Sequence, residues 1–421
     1  MRCSPWELDP DFNKLEDPLV SVVLKTVVCQ PGRHMCLTTI NHQQFFTDCV
    51  LQKGIESHVI LNGVLQYSEG KWWIKAGPDT RTFPRQVAEM KGLYKVIDAC
   101  SGIGAVTQGF TECGAQIVCH IESNQAFHQW QEARSQSPCI RGCVNDPNTV
   151  YEVSKHVQES HVLSAGISCQ PFSGLGDGGQ GQDPRSASFT GVMMMGFFLG
   201  SLAIILECTK EANQSEWIQQ QLHRFATQTG CTVRQSILKL HETWPAQRTR
   251  WWAIIAHPAL SVQSIPPMPS MRFVPSVMHL IRSMLPMSES EMAQLVLSLY
   301  ELRSFHDAPG GIGPNVIDVY KAMKTATHSW GSQVLACLCA CRSNGFSQKR
   351  IDQKGLYAVL IPLEKEEMLG NRKVQAMRHP HPQEVALLNG LLPSHVKPST
   401  TVPLRLELAG VGQLASPLQG A

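Results

Sequence analysis

Tyr94-Lys95-Val96-Ile97-Asp98-Ala99-Cys100-Ser101-Gly102-Ile103-Gly104-Ala105 reads as a strand, a tight glycine turn and the start of a helix. Glycines at such a turn let the backbone approach a ligand closely. The dinucleotide fingerprint wants a third glycine where Thr107 stands, and the next glycine is Gly109. A second strand, Ala115-Gln116-Ile117-Val118-Cys119-His120-Ile121-Glu122, ends in a carboxylate 18 residues beyond Gly104. That is where a ribose-binding acid belongs in an α/β cofactor site, although a plain surface acid would fit the same pattern.

Further along, His161-Val162-Leu163 leads into Ser164-Ala165-Gly166-Ile167-Ser168-Cys169-Gln170-Pro171-Phe172-Ser173 and then a glycine-rich run, Gly174 to Gly181. A cysteine where a strand gives way to a loop is placed to act as a nucleophile, provided its proton can be removed. A buried apolar cysteine is the alternative. The run from Gly174 to Gly179 is too glycine-rich for core and suits a loop that closes over substrate. Phe189 to Leu206 carries no charge. Gly200-Ser201 breaks it, so it reads as a buried helix followed by a central strand, Leu202 to Leu206, rather than a membrane span. Glu207 stands at that strand's exit, facing the crevice of an α/β sheet. In Pro245-Ala246-Gln247-Arg248-Thr249-Arg250-Trp251-Trp252, the two arginines at i and i+2 share one face of a strand. Two guanidinium groups on one face suit an anion or a polarised base; a solvated strand edge is the alternative.

The 421 residues are 43% hydrophobic and 17% charged, enough for a large core and two or three domains. A formal net charge of +2 argues against a sequence-indifferent nucleic-acid coat, so any nucleic-acid contact must rest on a local patch. The 15 cysteines fit free thiols in a reducing compartment better than a disulfide framework. Cys337, Cys339 and Cys341 alternate instead of following Cys-x-x-Cys spacing, so no metal site is expected. No charged-then-apolar leader precedes residue 30.

The stretch around Cys169 resembles the nucleophile motif of the cytosine-5 DNA methyltransferases, with Ser168 where that family usually has proline. Other motifs follow in the family's order. Asp98 to Gly104, with Gly109-Phe110, is similar to the S-adenosylmethionine loop, with Cys100 replacing a phenylalanine. Glu122 matches the ribose acid. Asp146 is the nearest acid to a degenerate Gly-Asp-Ile position at Gly142-Cys143-Val144. Asp183-Pro184-Arg185 follows the nucleophile as in the family. Glu207 opens the Glu-Asn-Val position, with Cys208 for the asparagine that supports the nucleophile loop. Arg248 and Arg250 match Gln-x-Arg-x-Arg, with Ala246 for the glutamine. Arg378 to Pro393 resembles a structural motif that continues into a helix. Gly412, followed by Gln413 instead of asparagine, stands in the last motif.

The resemblance covers residues 93 to 421. It implies an open, mostly parallel, Rossmann-like α/β sheet with helices on both faces, a smaller inserted target-recognition domain, and a small N-terminal extension. The expected division is an extension over 1–92, a catalytic domain over 93–256, a target-recognition domain over 257–376 and a return segment over 377–421. In the extension, Asn62-Gly63 between apolar residues signals a hairpin and Lys71 to Lys75 a strand. Trp72 and Trp73 suit core packing or a binding face. Between residues 257 and 376, helical patterns run over Val277 to Met284 and Glu289 to Leu302, with a loop from Gly310 to Pro314.

The resemblance makes Cys169, Glu207, Arg248 and Arg250 catalytic. It makes Asp98, Cys100, Gly102, Ile103, Gly104, Glu122, Asp146 and Gly412 cofactor-binding. The implied cofactor is S-adenosylmethionine. The implied partner is double-stranded DNA with its cytosine flipped out, with no membrane, in a nucleus or, without one, the cytoplasm. A decayed homologue that binds without turnover, and an RNA cytosine-5 methyltransferase, are the alternatives.

Overall fold

Six strands precede the glycine turn: β1 (Leu19–Gln30), β2 (Arg33–Thr38), β3 (Gln44–Thr47), β4 (Ser57–Ser68), β5 (Lys71–Lys75) and β6 (Arg81–Pro84). The computed structural model describes residues 19–30, 33–38, 44–68, 70–89, 91–172, 179–240, 246–247, 249–260, 262, 264–267, 287–296, 298, 335–336, 361–378 and 381–388. The chain forms two units, Met1–Ile237 with Trp251–Pro266, and Leu238–Arg250 with Pro267–Ala421.

The strand order is β1-β2-β3-β5-β4-β6, and a further pairing of β1 with β4 closes the first five into a ring. β3 and β5 run parallel, while the other pairs are antiparallel. This is a five-stranded Greek-key barrel of the OB type. Alternation explains its core: Val22, Leu24, Cys36, Phe45, Ile60, Leu65 and Ile74 point inward. Asn62-Gly63 does not make the expected hairpin. It lies inside β4, with Asn62 at φ 52, opposite a register shift between Val20 and Val22. The positive φ forms a bulge that bends a long strand round the barrel. A Cβ on Gly63 would lie 2.4 Å from Ile74 Cγ2, so the bulge also lets two strands approach closely.

The second layer runs β7 (Lys95–Ala99), α1 (Ala105–Glu112), β8 (Gln116–Glu122), α2 (Gln125–Glu132), β9 (Cys139–Arg141), α3 (Pro147–His156), β10 (Val162–Gly166), α4 (Ala187–Phe198), β11 (Ala203–Thr209), α5 (Glu216–Thr229), β12 (Thr232–Lys239), β13 (Ala246–Gln247) and β14 (Thr249–Ala256). Its sheet has seven strands in the order β12-β14-β11-β10-β7-β8-β9. β11, β10, β7, β8 and β9 pair in parallel. From β7 the chain steps outward to β8 and β9, then returns to β10 on the other side of β7. The order therefore reverses between β7 and β10, which defines a topological switch point.

Apolar runs fit strands and a helix covered on both sides. α4 is the buried helix read from the sequence, Gly200 the break at φ +72, and β11 the strand after it. No helix among the described residues is long and apolar enough to cross a membrane. Val59 and Leu61 of the barrel and Phe83 of β6 join Ile97, Leu163 and Phe189 in one core. The connecting segment is tied down as well: Arg85 Nε donates to Phe197 O at 2.8 Å and Ala88 N to Gly200 O at 3.1 Å.

In the second unit, β13 pairs in parallel with β15 (Leu335–Ala336), and β16 (Ile361–Leu369) forms an antiparallel hairpin with β17 (Arg372–Arg378). Ser288 closes a capping box on the helix Glu289–Leu295. The helix Pro382–Leu388 is held by Arg378, which donates two 2.7 Å bonds to a buried Glu384. Val277 to Met284, Gly310 to Pro314, the three alternating cysteines and Gly412 lie outside the described residues.

Candidate active site

The carboxyl ends of β8, β7, β10 and β11 carry Glu122, the Cys100–Gly104 turn, the Cys169 loop and Glu207, side by side in sheet order. A crevice outside the carboxyl ends at a switch point is where open α/β sheets bind ligands.

The turn after β7 is fixed by polar bonds. Cys100, Gly102 and Gly104 all have positive φ, at 51°, 53° and 81°. Only glycine adopts this readily, so Cys100 carries local strain. Glu122, buried, accepts from Gly102 N at 2.8 Å and from Asn124 N at 2.7 Å. Gln131 Nε2 donates to Gly102 O at 3.2 Å. Asp98 is turned inward, accepting from Thr107 Oγ1 at 2.5 Å beside a buried His120. Ile103 is buried under the turn. Burial, helped by the Glu122 charge, pushes the Cys100 thiol well above its ordinary pKa, so it stays protonated. Asp146 caps α3, accepting from Asn148 N at 3.0 Å.

A ligand fits this turn on two observations. Among the described residues nothing lies within 4 Å of where a Cβ on Gly102 would be, so the backbone faces open space there. The buried Ser101 hydroxyl has no hydrogen-bond partner among the described residues.

The loop after β10 is held by packing. Ile167 N donates to Glu207 O at 3.0 Å, and a Cβ on Gly166 would lie 3.5 Å from Glu207 Oε2. Glu207 is itself buried, so its carboxylate lies against the strand end that launches the loop. Cys169 is exposed at the loop's tip. Beyond it, Pro171 and Phe172 are buried. Phe172 stacks on Trp217 at 6.0 Å, Trp217 meets Phe189 at 5.7 Å, and Phe189 meets Trp251 at 6.5 Å. Each such pair adds about 0.5–1.5 kcal/mol beyond its area burial. Arg185 closes the loop from the other side, donating to Gln170 Oε1 and to the Asp183 carboxylate. That contact holds the Asp183 carboxyl down at about 2. Cys208 lies beneath, its thiol donating to Ser168 O at 4.0 Å. Burial and the Glu207 charge push that thiol well up.

Arg250 is half-buried and donates to Thr249 O at 2.9 Å. Arg248 and residues 173–178 of the glycine-rich run lie outside the described residues. Sequence reasoning missed Gln131, Thr107 and Trp217 as supports, and placed Arg185 only in a motif that follows the Cys169 loop. Thr107 had a signal, since it stands where the fingerprint expects glycine. Trp217 had none.

Residues 94–274 match the family model of the C-5 cytosine-specific DNA methylases. That is the family of this domain. Its fold is shared with solved structures at low identity. S. pombe Dnmt2 methyltransferase is 15% identical with a TM-score of 0.54, covering 78% of this chain and 96% of that one. The Entamoeba histolytica methyltransferase EhMeth is 11% identical with a TM-score of 0.55, covering 78% and 95%. A Spodoptera frugiperda DNMT2 variant is 15% identical with a TM-score of 0.54, covering 77% and 96%. No curated protein matches the chain. The methylase match begins at β7, leaving the barrel outside it.

Proposed function

We propose that this chain transfers a methyl group from S-adenosylmethionine to carbon 5 of cytosine in DNA, through a covalent bond to Cys169. One observation carries the reading. The turn that suits a nucleoside and the loop that exposes a thiol flank the same switch point of a methylase sheet. Glu122, with two backbone N–H groups already bound, keeps lone pairs for ribose hydroxyls. Gly102 and Ser101 leave room and a donor beside it. Bound there, S-adenosylmethionine would supply an electrophilic methyl group.

The cytosine must leave the duplex to reach the crevice. The Cys169 thiolate adds to ring carbon 6 while the Glu207 carboxyl gives a proton to N3, which balances the added charge and makes carbon 5 nucleophilic. The family resemblance assigns the base to Arg248 and Arg250 and the cofactor to Asp146 and Gly412. A base then removes the carbon 5 proton, and the electron pair re-forms the 5,6 double bond and expels Cys169 as thiolate.

The test is a duplex carrying 5-fluorocytosine, incubated with protein and S-adenosylmethionine. A denaturant-resistant adduct should form with the natural chain and be absent with Cys169→Ser, while calorimetric cofactor binding persists. Cofactor binding without adduct or transfer in the natural chain would instead identify a decayed homologue, favoured by the departures at Ser168, Cys208, Ala246 and Gln413. Transfer to RNA but not DNA would move the substrate, not the chemistry.

A further inference from the structure

Two sulfur atoms come together where β10 and β11 end. The strands pair in parallel up to Gly166 opposite Glu207. Ile167 N then donates to Glu207 O at 3.0 Å, so the contact continues past the last paired residues. Cys208 is the next residue of β11 and is fully buried. Its Sγ faces Ser168 O at 4.0 Å, and that oxygen belongs to the peptide that leads into Cys169. Standard peptide geometry then puts Cys208 Sγ within about 7 Å of Cys169 Cα. Disulfides form at Cα–Cα separations up to about 6.8 Å, so rotation of the Cys169 side chain with a small shift of the loop can join the two sulfurs. The thiols differ in what governs their oxidation. Cys169 is exposed at the head of a turn closed by Phe172 N on Cys169 O at 3.1 Å. Cys208 is shut away from solvent, and burial with the Glu207 charge keeps it protonated. An oxidant reacts with a thiolate that it can reach, so it meets Cys169 first.

We propose that Cys169 and Cys208 form a reversible redox lock, in which hydrogen peroxide oxidises Cys169 and Cys208 then captures it as a disulfide. In the first step the Cys169 sulfur attacks peroxide, the O–O bond breaks, and sulfenic acid and water form. Cys169 is oxidised and peroxide is reduced. In the second step the Cys208 sulfur attacks the sulfenic sulfur. The S–S bond forms, the S–O bond breaks, and the departing hydroxide leaves as water with the Cys208 proton. A dithiol reductant returns both cysteines to thiols. Burial makes Cys208 a slow attacker, because little of it is thiolate, so the lock answers sustained oxidation. Burial also spares Cys208 from the oxidant until Cys169 has reacted. The pair is a departure of this chain, since the motif that Cys208 stands in has asparagine there, which offers no sulfur. A disulfide stops the oxidation of Cys169 short of sulfinic acid, which a dithiol cannot reverse. The lock itself rests on the placing of the two thiols. Only its consequence, that methyl transfer is switched off, rests on the reading of Cys169 as nucleophile.

The experiment exposes the reduced full chain to graded hydrogen peroxide, blocks the remaining thiols with N-ethylmaleimide in denaturant, and digests with trypsin without reductant. Cleavage after Lys155, Arg185 and Lys210 leaves Cys169 as the one cysteine of its peptide and Cys208 as the one cysteine of the next. Mass spectrometry should find these two peptides linked, two hydrogen atoms lighter than their sum, and separated again by dithiothreitol. Cys208→Ala and Cys208→Ser, each checked for folding by circular dichroism, should give no linked peptide. In both, sulfinic acid at Cys169 should accumulate roughly tenfold faster than in the natural chain. Methyl transfer, measured against each protein's own starting rate, should return on dithiothreitol treatment in the natural chain and stay lost in the variants. The proposal is overturned if the two peptides never link, if Cys169 links instead to the exposed Cys113 or Cys143, or if the variants reach sulfinic acid no faster. A linked pair in a chain that transfers no methyl group would uphold the lock and remove the methyl-transfer reading. Methyl transfer by a chain that peroxide never links would do the reverse.

Discussion

The two loops that flank the switch point are built by opposite means. The turn after β7 is a polar lattice: Glu122 and Gln131 hold both sides of the Gly102 peptide, and Thr107 locks Asp98. The loop after β10 is pinned by aromatic packing at Phe172 and latched by Arg185 at Gln170, with its thiol left exposed. A turn that reads a ligand with backbone groups must hold those groups still before the ligand arrives. A loop proposed to form and break a covalent bond needs firm roots and an accessible tip. The difference is also one of thiols. Cys100 and Cys208 are kept protonated by burial and a neighbouring carboxylate, whereas Cys169 stands at the surface.

The sharpest way to break this contrast is to exchange which thiol is lost. Cys169→Ala should lower methyl transfer by about 10⁴-fold or more, because a covalent step has no substitute. Cys208→Ala should leave transfer within roughly tenfold and act on stability, by about 1 kcal/mol, as a small buried truncation does. Single-turnover transfer of tritiated methyl and thermal unfolding separate the two. Equal losses of transfer would mean that the exposed thiol is not the nucleophile.

The second effect in size belongs to the polar turn. Glu122→Ala strands two backbone N–H groups, at a cost of about 1–3 kcal/mol each if they stay buried. It should weaken S-adenosylmethionine binding by roughly a hundredfold, with Glu122→Gln in between. Calorimetry measures it, and the Cys169→Ala protein should bind cofactor normally in the same assay.

These two loops were legible in the sequence for different reasons. The β7 turn announces itself locally, because glycines at positive φ have few other uses and the acid follows at a fixed chain distance. The Cys169 loop was found by its motif, but its supports were not. Trp217 and Arg185 act through space, and neither periodicity nor spacing reports a ring stacked from another helix. The barrel was the least legible part. Its long strands bend through bulges, and the Asn62-Gly63 pair that serves as a bulge reads locally as a hairpin turn.

A smaller effect should come from the latch. Arg185→Met removes the bond to Gln170 and the partner of Asp183, and should lower kcat by about tenfold with cofactor affinity unchanged. The sign of its pH dependence follows from Asp183. Its carboxyl titrates below the ordinary aspartate range, at about 2. The contribution of the Asp183–Arg185 pair is therefore complete above about pH 4 and fades only as pH falls towards 2. A kcat profile of the natural chain should show no step from this pair between about pH 5 and 8. Arg185→Met should lower the whole profile without shifting its limbs.

The smallest effect is expected where the chain departs from the motif it resembles without losing the contact. The asparagine that the resemblance places at Cys208 supports the nucleophile loop, and here the Cys208 thiol already faces Ser168 O at 4.0 Å. Cys208→Asn would replace a weak S–H donor with an amide N–H aimed at the same carbonyl. It would also bury an extra polar oxygen next to Glu207, which is unfavourable unless that oxygen finds a donor. The two changes oppose each other, so transfer should move by less than about threefold and stability by less than about 1 kcal/mol. A large gain in transfer would show that the loop after β10 is under-supported as it stands. A large loss of stability would show that the cavity beneath it is shaped for sulfur, and the contrast between a polar turn and a packed loop would extend to the residue directly under Cys169.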